Sequence, residues 1–383
     1  MTITLLTPAW PYRGGIAAFS ERLARQLLSE GHEVRLYTFT LQYPGFLFPG
    51  KTQYSVEPQP QDLVIERQLS SVNPLTWVRL GRRIRREAPD VLILAYWMPF
   101  MAPCMGSVAR LARQNGKTQV IALCHNLIPH EHRPGDTLLT RWLLGSVDAV
   151  AALSQSVCDD VHRFRPQMPT IASPHPLYDN FGEPVDRVEA CRHLGLDPEC
   201  RYFLFFGLIR EYKGLDWLLD AFAQIVNTQR ADARQSFNRK SIKLLIAGEF
   251  YSDGSKYHEQ VRQLGIEDLL VWRSEFVPDS EVRYYFSAAD LVVQPYKTAT
   301  QSGVTQIAYH FLKPMLVTNV GGLSEIVPDG KVGYVVQPDA HSVAEGMRRF
   351  LTERPDFTEG MIDEKRKYSW SILMQRLMTL IRK

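Results

Sequence analysis

Two spacings of apolar residues alternate along the first part of the chain. The run TITLLT (2–7) is typical of a buried strand, and a helical spacing follows at Ile16, Phe19, Leu23 and Leu27. Gly31 predicts the end of that helix. Further strands are predicted at HEVRLYTF (32–39), VLILAY (91–96), TQVIALC (118–124) and DAVAAL (148–153), with a helix at MGSVARLARQ (105–114). Strands separated by helices predict a parallel sheet covered on both faces.

The same alternation returns in a second block. Its predicted strands are RYFLFFGL (201–208), IKLLIAG (242–248), LVVQP (291–295) and MLVT (315–318), and its helices are LDWLLDAFAQIV (215–226), DSEVRYYFSAA (279–289) and SVAEGMRRFL (342–351). Residues 177–186 lack periodicity and are interpreted as a linker. The pattern predicts an α/β protein with doubly wound domains at 1–176 and 187–368, facing each other across a cleft. The terminal segment 369–383 is a predicted amphipathic helix that packs back on the first domain.

Composition mainly excludes classes of protein. The 383 residues are 45% hydrophobic and 22% charged, which is typical of soluble globular domains. Positions 1–180 hold 18 basic and 14 acidic residues and the remainder 26 and 27, so no nucleic-acid surface is predicted. The five cysteines form no CxxC pair and predict free thiols in a reducing cytosol. The most apolar stretch, 91–106, is shorter than the roughly 18 residues of a spanning helix.

Several loops at predicted strand ends are suited to binding anions. Gly14 and Gly15 join the first strand to its helix, where backbone amides can approach an anion, although a plain tight turn is equally compatible. Arg210 and Lys213 follow the first strand of the second block and suit a diphosphate, the alternative being ordinary surface charges. Residues 301–304 open a helix that could present amides to a second anionic group. Several such loops in one domain favour a phosphate-binding function.

Two other clusters are open to more than one interpretation. His125, His130 and His132 lack a regularly spaced fourth ligand, so a hydrogen-bonding role is favoured over a metal site and no metal is predicted. Trp97 follows the strand VLILAY and either lines the cleft or packs in the core.

One predicted helix carries the cluster Arg79, Arg82, Arg83, Arg85 and Arg86 beside Trp77. This cluster is either a solvated face or a patch for anionic lipid or a lipid-linked acceptor.

Taken together, these landmarks resemble the retaining, nucleotide-sugar-dependent glycosyltransferases of the GT-B type, known as glycosyltransferase group 1. The resemblance rests on the early glycine pair, His125 at a strand end, and the segments GLIREYKG, IAGEF, SGV and VGGLSEIVPDGKVGYVV. It implies two Rossmann-like domains, of which the first binds the acceptor and the second the nucleotide sugar. It also implies that no metal is required and that the only cofactor-like molecule is the nucleoside-diphosphate sugar, a co-substrate.

The resemblance also implies roles for individual residues. Arg210 and Lys213 would hold the donor diphosphate, with the amides of Gly14 and Gly15, and His125 would lie near the transferred sugar. Phe276 and Val277 would contact the nucleotide base, and Ser302, Gly303 and Val304 would form the anion-binding helix start. The family's two glutamates, which have seven residues between them, are replaced by Ala299 and Ile307, or by Thr298 and Gln306 in a register shifted by one residue. Thr298, Gln301 and Gln306 are therefore the expected neutral substitutes.

The implied activity is transfer of a sugar from a nucleoside diphosphate to a hydroxyl of a glycan or glycolipid, with retention, in cell-surface polysaccharide synthesis. The expected location is the cytoplasm, with peripheral binding to the inner face of the membrane. A catalytically silent sugar-nucleotide-binding protein is the alternative, since the glutamates are missing. A nicotinamide-dependent oxidoreductase would need a GxGxxG fingerprint, which is not found.

Overall fold

A computed structural model describes residues 1–45, 52–128, 134–228, 239–251, 253–299 and 302–381. The chain divides into two compact units, the first formed by Met1–Pro176 with Tyr368–Lys383 and the second by Leu177–Lys367. Within the described ranges, no helix has the length and apolar character needed to cross a membrane. His130, His132 and Gln301 lie outside the described residues.

Each unit is built on a parallel sheet. The strands of unit 1 are β1 (Thr2–Leu6), β2 (Glu33–Leu41), β3 (Ile65–Ser70), β4 (Val91–Tyr96), β5 (Gln119–Cys124), β6 (Ala149–Ala152) and β7 (Thr170–Ala172), in the order β3-β2-β1-β4-β5-β6-β7. Those of unit 2 are β8 (Arg201–Phe206), β9 (Ile242–Ala247), β10 (Leu270–Arg273), β11 (Leu291–Gln294), β12 (Met315–Thr318) and β13 (Gly333–Val336), in the order β10-β9-β8-β11-β12-β13. Both orders are those of doubly wound folds, as predicted.

Helices connect the strands in both units. They are α1 (Gly15–Ser29), α2 (Pro74–Glu87), α3 (Ala102–Ala112), α4 (Asp136–Leu144), α5 (Gln155–Phe164), α6 (Arg187–Leu194), α7 (Leu215–Thr228), α8 (Ser255–Leu264), α9 (Val282–Ala288), α10 (Gly303–His310), α11 (Leu323–Ile326), α12 (Ala340–Glu353), α13 (Thr358–Lys365) and α14 (Trp370–Leu380). Many begin at a residue whose side chain accepts from the first turn, such as Asn73 for α2 and Ser369 for α14. The central strands β4 and β5 are buried along their whole length and lie in the core of unit 1.

The C-terminal helix α14 belongs to unit 1. The ring of Trp370 packs against Phe19 of α1, with centroids 5.1 Å apart, and the guanidinium of Arg376 donates to the carbonyl oxygen of Ala172 at 2.6 Å. Gln119 Nε2 donates to the carbonyl oxygen of Leu380 at 2.7 Å. These contacts join the end of the chain to both faces of the first sheet.

The predicted linker 177–186 is packed against unit 2 and belongs to that compact unit. Tyr178 and Phe181 are buried, and a Cβ added to Gly303 would meet the ring of Tyr178 at 2.9 Å. His310 Nε2 lies 2.8 Å from the carbonyl oxygen of Gly182. The prolines removed the helical and strand spacings from this segment, but its aromatic side chains still bury against α10.

Candidate functional site

The loops after β8 and β9 lie side by side at the carboxyl edge of the unit 2 sheet. The backbone N–H of Ile209 donates to the carbonyl oxygen of Glu249 at 2.8 Å, and that of Tyr251 donates to Ile209 at 2.9 Å. A Cβ on Gly248 would lie 2.1 Å from the carbonyl oxygen of Gly207, so only glycine fits there. The two loops therefore form one connected platform beyond the strands.

Lys213 is the buried cation of this platform. Its Nζ lies 3.2 Å from the position that a Cβ on Gly207 would occupy. The residue is 9% exposed, and among the described residues its Nζ faces the ring of Tyr296, 5.6 Å from the centroid, rather than a carboxylate. Burial, reinforced by the charge of Arg210, lowers the pKa of Lys213 to about 8. A buried ammonium without a counter-ion is unfavourable by itself, and an anion bound beside it would remove that penalty.

Arg210 is held at the surface of the same platform. Its Cζ lies 3.8 Å from the centroid of the Tyr251 ring, a close cation–π contact. Tyr251 follows β9 and is attached to the Arg210 loop by the backbone bonds described above. Stacking fixes the plane of the guanidinium while its N–H edge stays available for a bidentate anion. Sequence reasoning identified Arg210 but not Tyr251, because their contact joins two different loops.

The N-terminus of α10 reaches the same place. Ser302 caps the helix, its Oγ accepting from the backbone N–H of Val304 at 3.2 Å. A Cγ of Val304 lies 3.9 Å from the Cβ position of Gly207, the glycine that also adjoins Lys213. The positive end of the helix dipole and the Lys213 ammonium thus border one small region. The structure therefore brings together Lys213, Ser302, Gly303 and Val304 from the predicted set.

Other predicted donor residues fall in different surroundings. Phe276, half-buried, and Val277, buried, lie between β10 and α9 at the same edge of the sheet. Thr298 is exposed. Gln306 was predicted to contact the donor, but its side chain is 0% exposed and its amide atoms have no partner in the described structure. This position is on the inner face of α10, so a bound sugar cannot reach Gln306 unless neighbouring side chains move.

The glycine pair of unit 1 opens helix α1. Gly14 has φ +103° and is the N-cap, with no side-chain cap for the first turn, and nothing lies within 4 Å of where its Cβ would be. The preceding loop is braced, since Trp10 donates through its backbone N–H to Glu21 Oε1 at 2.8 Å. The helix start therefore has the open approach that an anion or a substrate hydroxyl requires.

His125 follows β5 at the same edge of the unit 1 sheet. Its backbone N–H donates to Tyr96 at 2.8 Å, and its ring packs edge-on against Phe19, 4.9 Å between centroids. Nε2 is enclosed without a hydrogen-bond partner in the described structure. Burial, with a smaller contribution from His175, lowers the pKa of His125 to about 3. The imidazole is thus neutral near pH 7 and is suited to hydrogen bonding rather than to proton donation as a cation.

His175 is a second histidine in this cluster that sequence reasoning missed. Its ring also packs against Phe19, at 5.0 Å, and its Nδ1 lies 2.8 Å from the carbonyl oxygen of Pro176. Burial lowers the pKa of His175 to about 4. The prolines around it gave no periodic signal that would have placed it beside His125. Among the described residues, no group of three His, Cys, Asp or Glu side chains is arranged to hold a metal ion.

The arginine-rich helix α2 is only partly available to a partner. Arg79, Arg82, Arg85 and Arg86 are exposed. Arg83, in contrast, pairs with Glu66 at 2.7 Å and with Glu87 at 2.9 Å, so its inclusion in a contact patch was wrong. The indole N–H of Trp77 donates to the carbonyl oxygen of Ser70 at 2.6 Å, which places that ring against the unit. The exposed apolar side chains of the helix are instead Leu75, at 74%, and Val78.

Comparisons with known proteins agree with this arrangement. The Glycosyl transferases group 1 model matches residues 200–353, and the Glycosyltransferase Family 4 model matches residues 13–172. D-inositol 3-phosphate glycosyltransferase of Acidothermus cellulolyticus is 24% identical over 415 aligned positions, covering 100% of this chain and 88% of that protein. Each family match contains most of one sheet and the loops at its carboxyl edge.

Solved structures share the fold. Sucrose-phosphate synthase of Thermosynechococcus elongatus superposes with a TM-score of 0.73 at 18% identity, covering 99% of this chain and 98% of that one. Anabaena HepE in complex with UDP and glucose superposes with a TM-score of 0.73 at 16% identity, with 99% of both chains covered.

Two doubly wound units of this kind, with matching family models, define a glycosyltransferase of GT-B architecture. The chain is a group 1 glycosyltransferase of this type, and the group 1 and Family 4 models together match more than four fifths of it.

Proposed function

We propose that unit 2 binds a nucleoside-diphosphate sugar and that the sugar passes to a hydroxyl of a glycan or glycolipid held by unit 1. The observation that carries the donor assignment is Lys213, a buried ammonium that faces the Tyr296 ring at 5.6 Å and has no ion pair with the described residues, with Arg210 beside it. Two cations and a helix N-terminus supply what a diphosphate needs. The solved complex of HepE with UDP and glucose supports this choice of ligand.

In the proposed reaction, negative charge develops on the diphosphate as the bond to the sugar breaks. Lys213 and Arg210 stabilise that charge more strongly than they stabilise the intact donor, which lowers the barrier. His125 contributes as a neutral hydrogen-bonding group near the sugar. We propose retention at the anomeric carbon, with the leaving phosphate accepting the proton of the acceptor hydroxyl, and no metal requirement because the two cations perform the neutralisation.

Titration calorimetry with UDP and GDP in the presence of a chelator tests the donor site. One of the two nucleotides is expected to bind without divalent metal, and Arg210→Ala is expected to weaken that binding about tenfold, since a charge-assisted hydrogen bond contributes roughly 1.5–3 kcal/mol. Arg192→Ala, which removes an exposed arginine of α6, is the matched control and should leave binding unchanged. Binding that appears only after magnesium is added would contradict the metal-independent assignment.

A silent binding protein remains the second candidate because Ala299 and Ile307 occupy the positions of the family glutamates. Both are buried apolar residues and offer no side-chain contact to sugar hydroxyls. Release of UDP or GDP from the matching nucleotide sugar in the presence of acceptor separates the two candidates. Donor binding with no release over a full acceptor panel would favour the silent protein.

For the membrane, we propose that α2 docks on an anionic bilayer, with Leu75 and Val78 entering the interface and Arg79, Arg82 and Arg86 contacting lipid phosphates. Each basic residue contributes about 1 kcal/mol at such a surface, and salt should weaken the attraction. Arg82→Ala with Arg86→Ala should reduce sedimentation with phosphatidylglycerol vesicles at least about tenfold. Such docking suits a lipid-linked acceptor in cell-surface polysaccharide synthesis.

A matched pair on unit 2, Arg192→Ala with Arg366→Ala, removes the same charge from exposed positions. This control should sediment with the vesicles like the unmodified protein. Equal binding to neutral and anionic vesicles, or equal loss in both double variants, would refute docking through α2.

A further inference from the structure

Three aromatic rings gather at the carboxyl edge of the unit 1 sheet, and the proposed reaction described above uses none of them. They are Tyr43, which follows β2, and Trp97 and Phe100, which follow β4. We call these three residues the aromatic wall. All three are half-buried, so each ring is anchored in the unit and also reaches its surface.

The polar atoms of the aromatic wall are already engaged. The indole N–H of Trp97 donates to Tyr43 Oη at 2.7 Å, and that oxygen lies 3.4 Å from the sulfur of Met98. The backbone of Tyr43 is held on both sides by the side-chain amide of Gln53, at 3.3 and 3.1 Å. What the wall offers to a ligand is therefore ring surface rather than donors and acceptors.

The rings are also fixed before any ligand arrives. Tyr43 and Phe100 are nearly parallel, at 19°, with centroids 6.4 Å apart. Behind them, buried Phe39 packs edge-on against Trp97 at 6.3 Å. Stacking of a ligand on this surface therefore requires little further loss of side-chain entropy.

Strand order places Trp97 and Phe100 of the aromatic wall between the two other candidate elements of unit 1, and Tyr43 at the end of β2, on the other side of β1. Strand β4 lies between β1, which leads to Gly14, and β5, which ends beside His125. The backbone bond from His125 to Tyr96, the residue before Trp97, joins the two strand ends directly. The wall thus continues the edge that the proposed function assigns to the acceptor.

We propose that the aromatic wall is the subsite for a neutral pyranose ring, the terminal sugar of the acceptor glycan. The C–H groups on one face of a pyranose are slightly positive and lie flat on the negative face of an aromatic ring. Arg67, a cation of this edge, donates to the carbonyl oxygens of Phe39 and Thr40 at 3.3 and 3.1 Å, so these N–H donors are already engaged. This inference rests on the proposed function. It predicts a neutral sugar as the acceptor, in contrast to the inositol phosphate in the name of the related D-inositol 3-phosphate glycosyltransferase.

Saturation-transfer NMR on the full chain tests the subsite without requiring turnover. The probes are the methyl α-glycosides of glucose, galactose and mannose, with D-inositol 3-phosphate as the anionic comparison. At least one glycoside should receive saturation on its ring C–H protons. That signal should fall about three- to tenfold in Trp97→Ala, the loss expected for one aromatic stacking contact.

Because removing a packed indole can unfold the unit, Phe100→Leu is the second variant, since it keeps most of the volume while removing the ring. It should show a similar loss. Trp142→Ala, which removes an exposed tryptophan of α4 outside the wall, is the matched control and should keep the full signal.

Several results would overturn the subsite. These are no saturation of any glycoside, an undiminished signal in both wall variants, or saturation of inositol phosphate alone. UDP calorimetry on the same sample distinguishes failure of the sugar subsite from failure of the donor assignment. UDP binding without glycoside binding refutes the subsite alone, and glycoside binding without UDP or GDP binding refutes the donor assignment alone.

Discussion

Replacing Lys213 with alanine should lower the rate of sugar transfer by about two to three orders of magnitude. Loss of one charged contact to a developing negative charge typically costs roughly 2.7–4 kcal/mol of barrier. The ammonium is buried, and the cation that helps to lower its pKa, Arg210, has its own contact to the diphosphate in the proposed site, so the lost charge is not replaced. Steady-state kinetics with the confirmed donor measure the effect, which should fall mainly on kcat because the charge develops in the transition state.

The pH dependence of donor binding provides a second measurement on Lys213. Its pKa near 8 means that the free protein begins to lose this proton above that pH, whereas a bound diphosphate raises the pKa again. Binding at pH 8.5 should therefore take up protons, seen as a dependence of the heat on the buffer, and binding at pH 6 should not.

Lys213→Arg stays charged across this range and should abolish the proton uptake while keeping part of the affinity. Arg192→Ala, which removes an exposed charge of α6, should retain both the rate and the uptake. A normal rate in Lys213→Ala, with its fold confirmed by thermal unfolding, would remove Lys213 from the mechanism.

The sequence predicted the central strands well and the edge strands poorly, for one physical reason. Strands β4 and β5 are buried on both faces and appear as continuous apolar runs. The missed strands β3, β7, β10 and β13 are the outermost of their sheets. An edge strand such as β3, with sequence IERQLS, is partly exposed and carries polar residues, so no apolar run identifies it.

At the candidate site, residues next to strand ends were predictable and residues that depend on tertiary contacts were not. Lys213 and Arg210 were found because parallel strands direct their following loops to one edge. Tyr251 and His175 were missed, since their importance comes from partners distant in sequence. Arg83 was misassigned for the same reason, because its partner Glu66 belongs to an unrecognised edge strand.

Gly214 provides the last prediction, because it fixes the backbone next to Lys213. It has φ +68°, and a Cβ there would lie 1.9 Å from the carbonyl oxygen of Pro295. Alanine at this position must adopt a left-handed conformation, at about 1–2 kcal/mol, and must also displace backbone rather than a flexible side chain. Gly214→Ala should therefore destabilise unit 2 by more than about 3 kcal/mol and weaken nucleotide binding at least tenfold.

Gly265 is the matched control for this substitution, since it also ends a helix in the left-handed region, at φ +62°, but has nothing within 4 Å of its Cβ position. Gly265→Ala should cost only the conformational part, about 1–2 kcal/mol, and leave nucleotide binding intact. Thermal unfolding and UDP or GDP calorimetry on both variants measure the difference. Equal destabilisation of the two variants would show that the loop from Gly207 to Gly214 can relax away from Pro295. Unchanged nucleotide affinity in Gly214→Ala would show that the position of Lys213 does not depend on this contact.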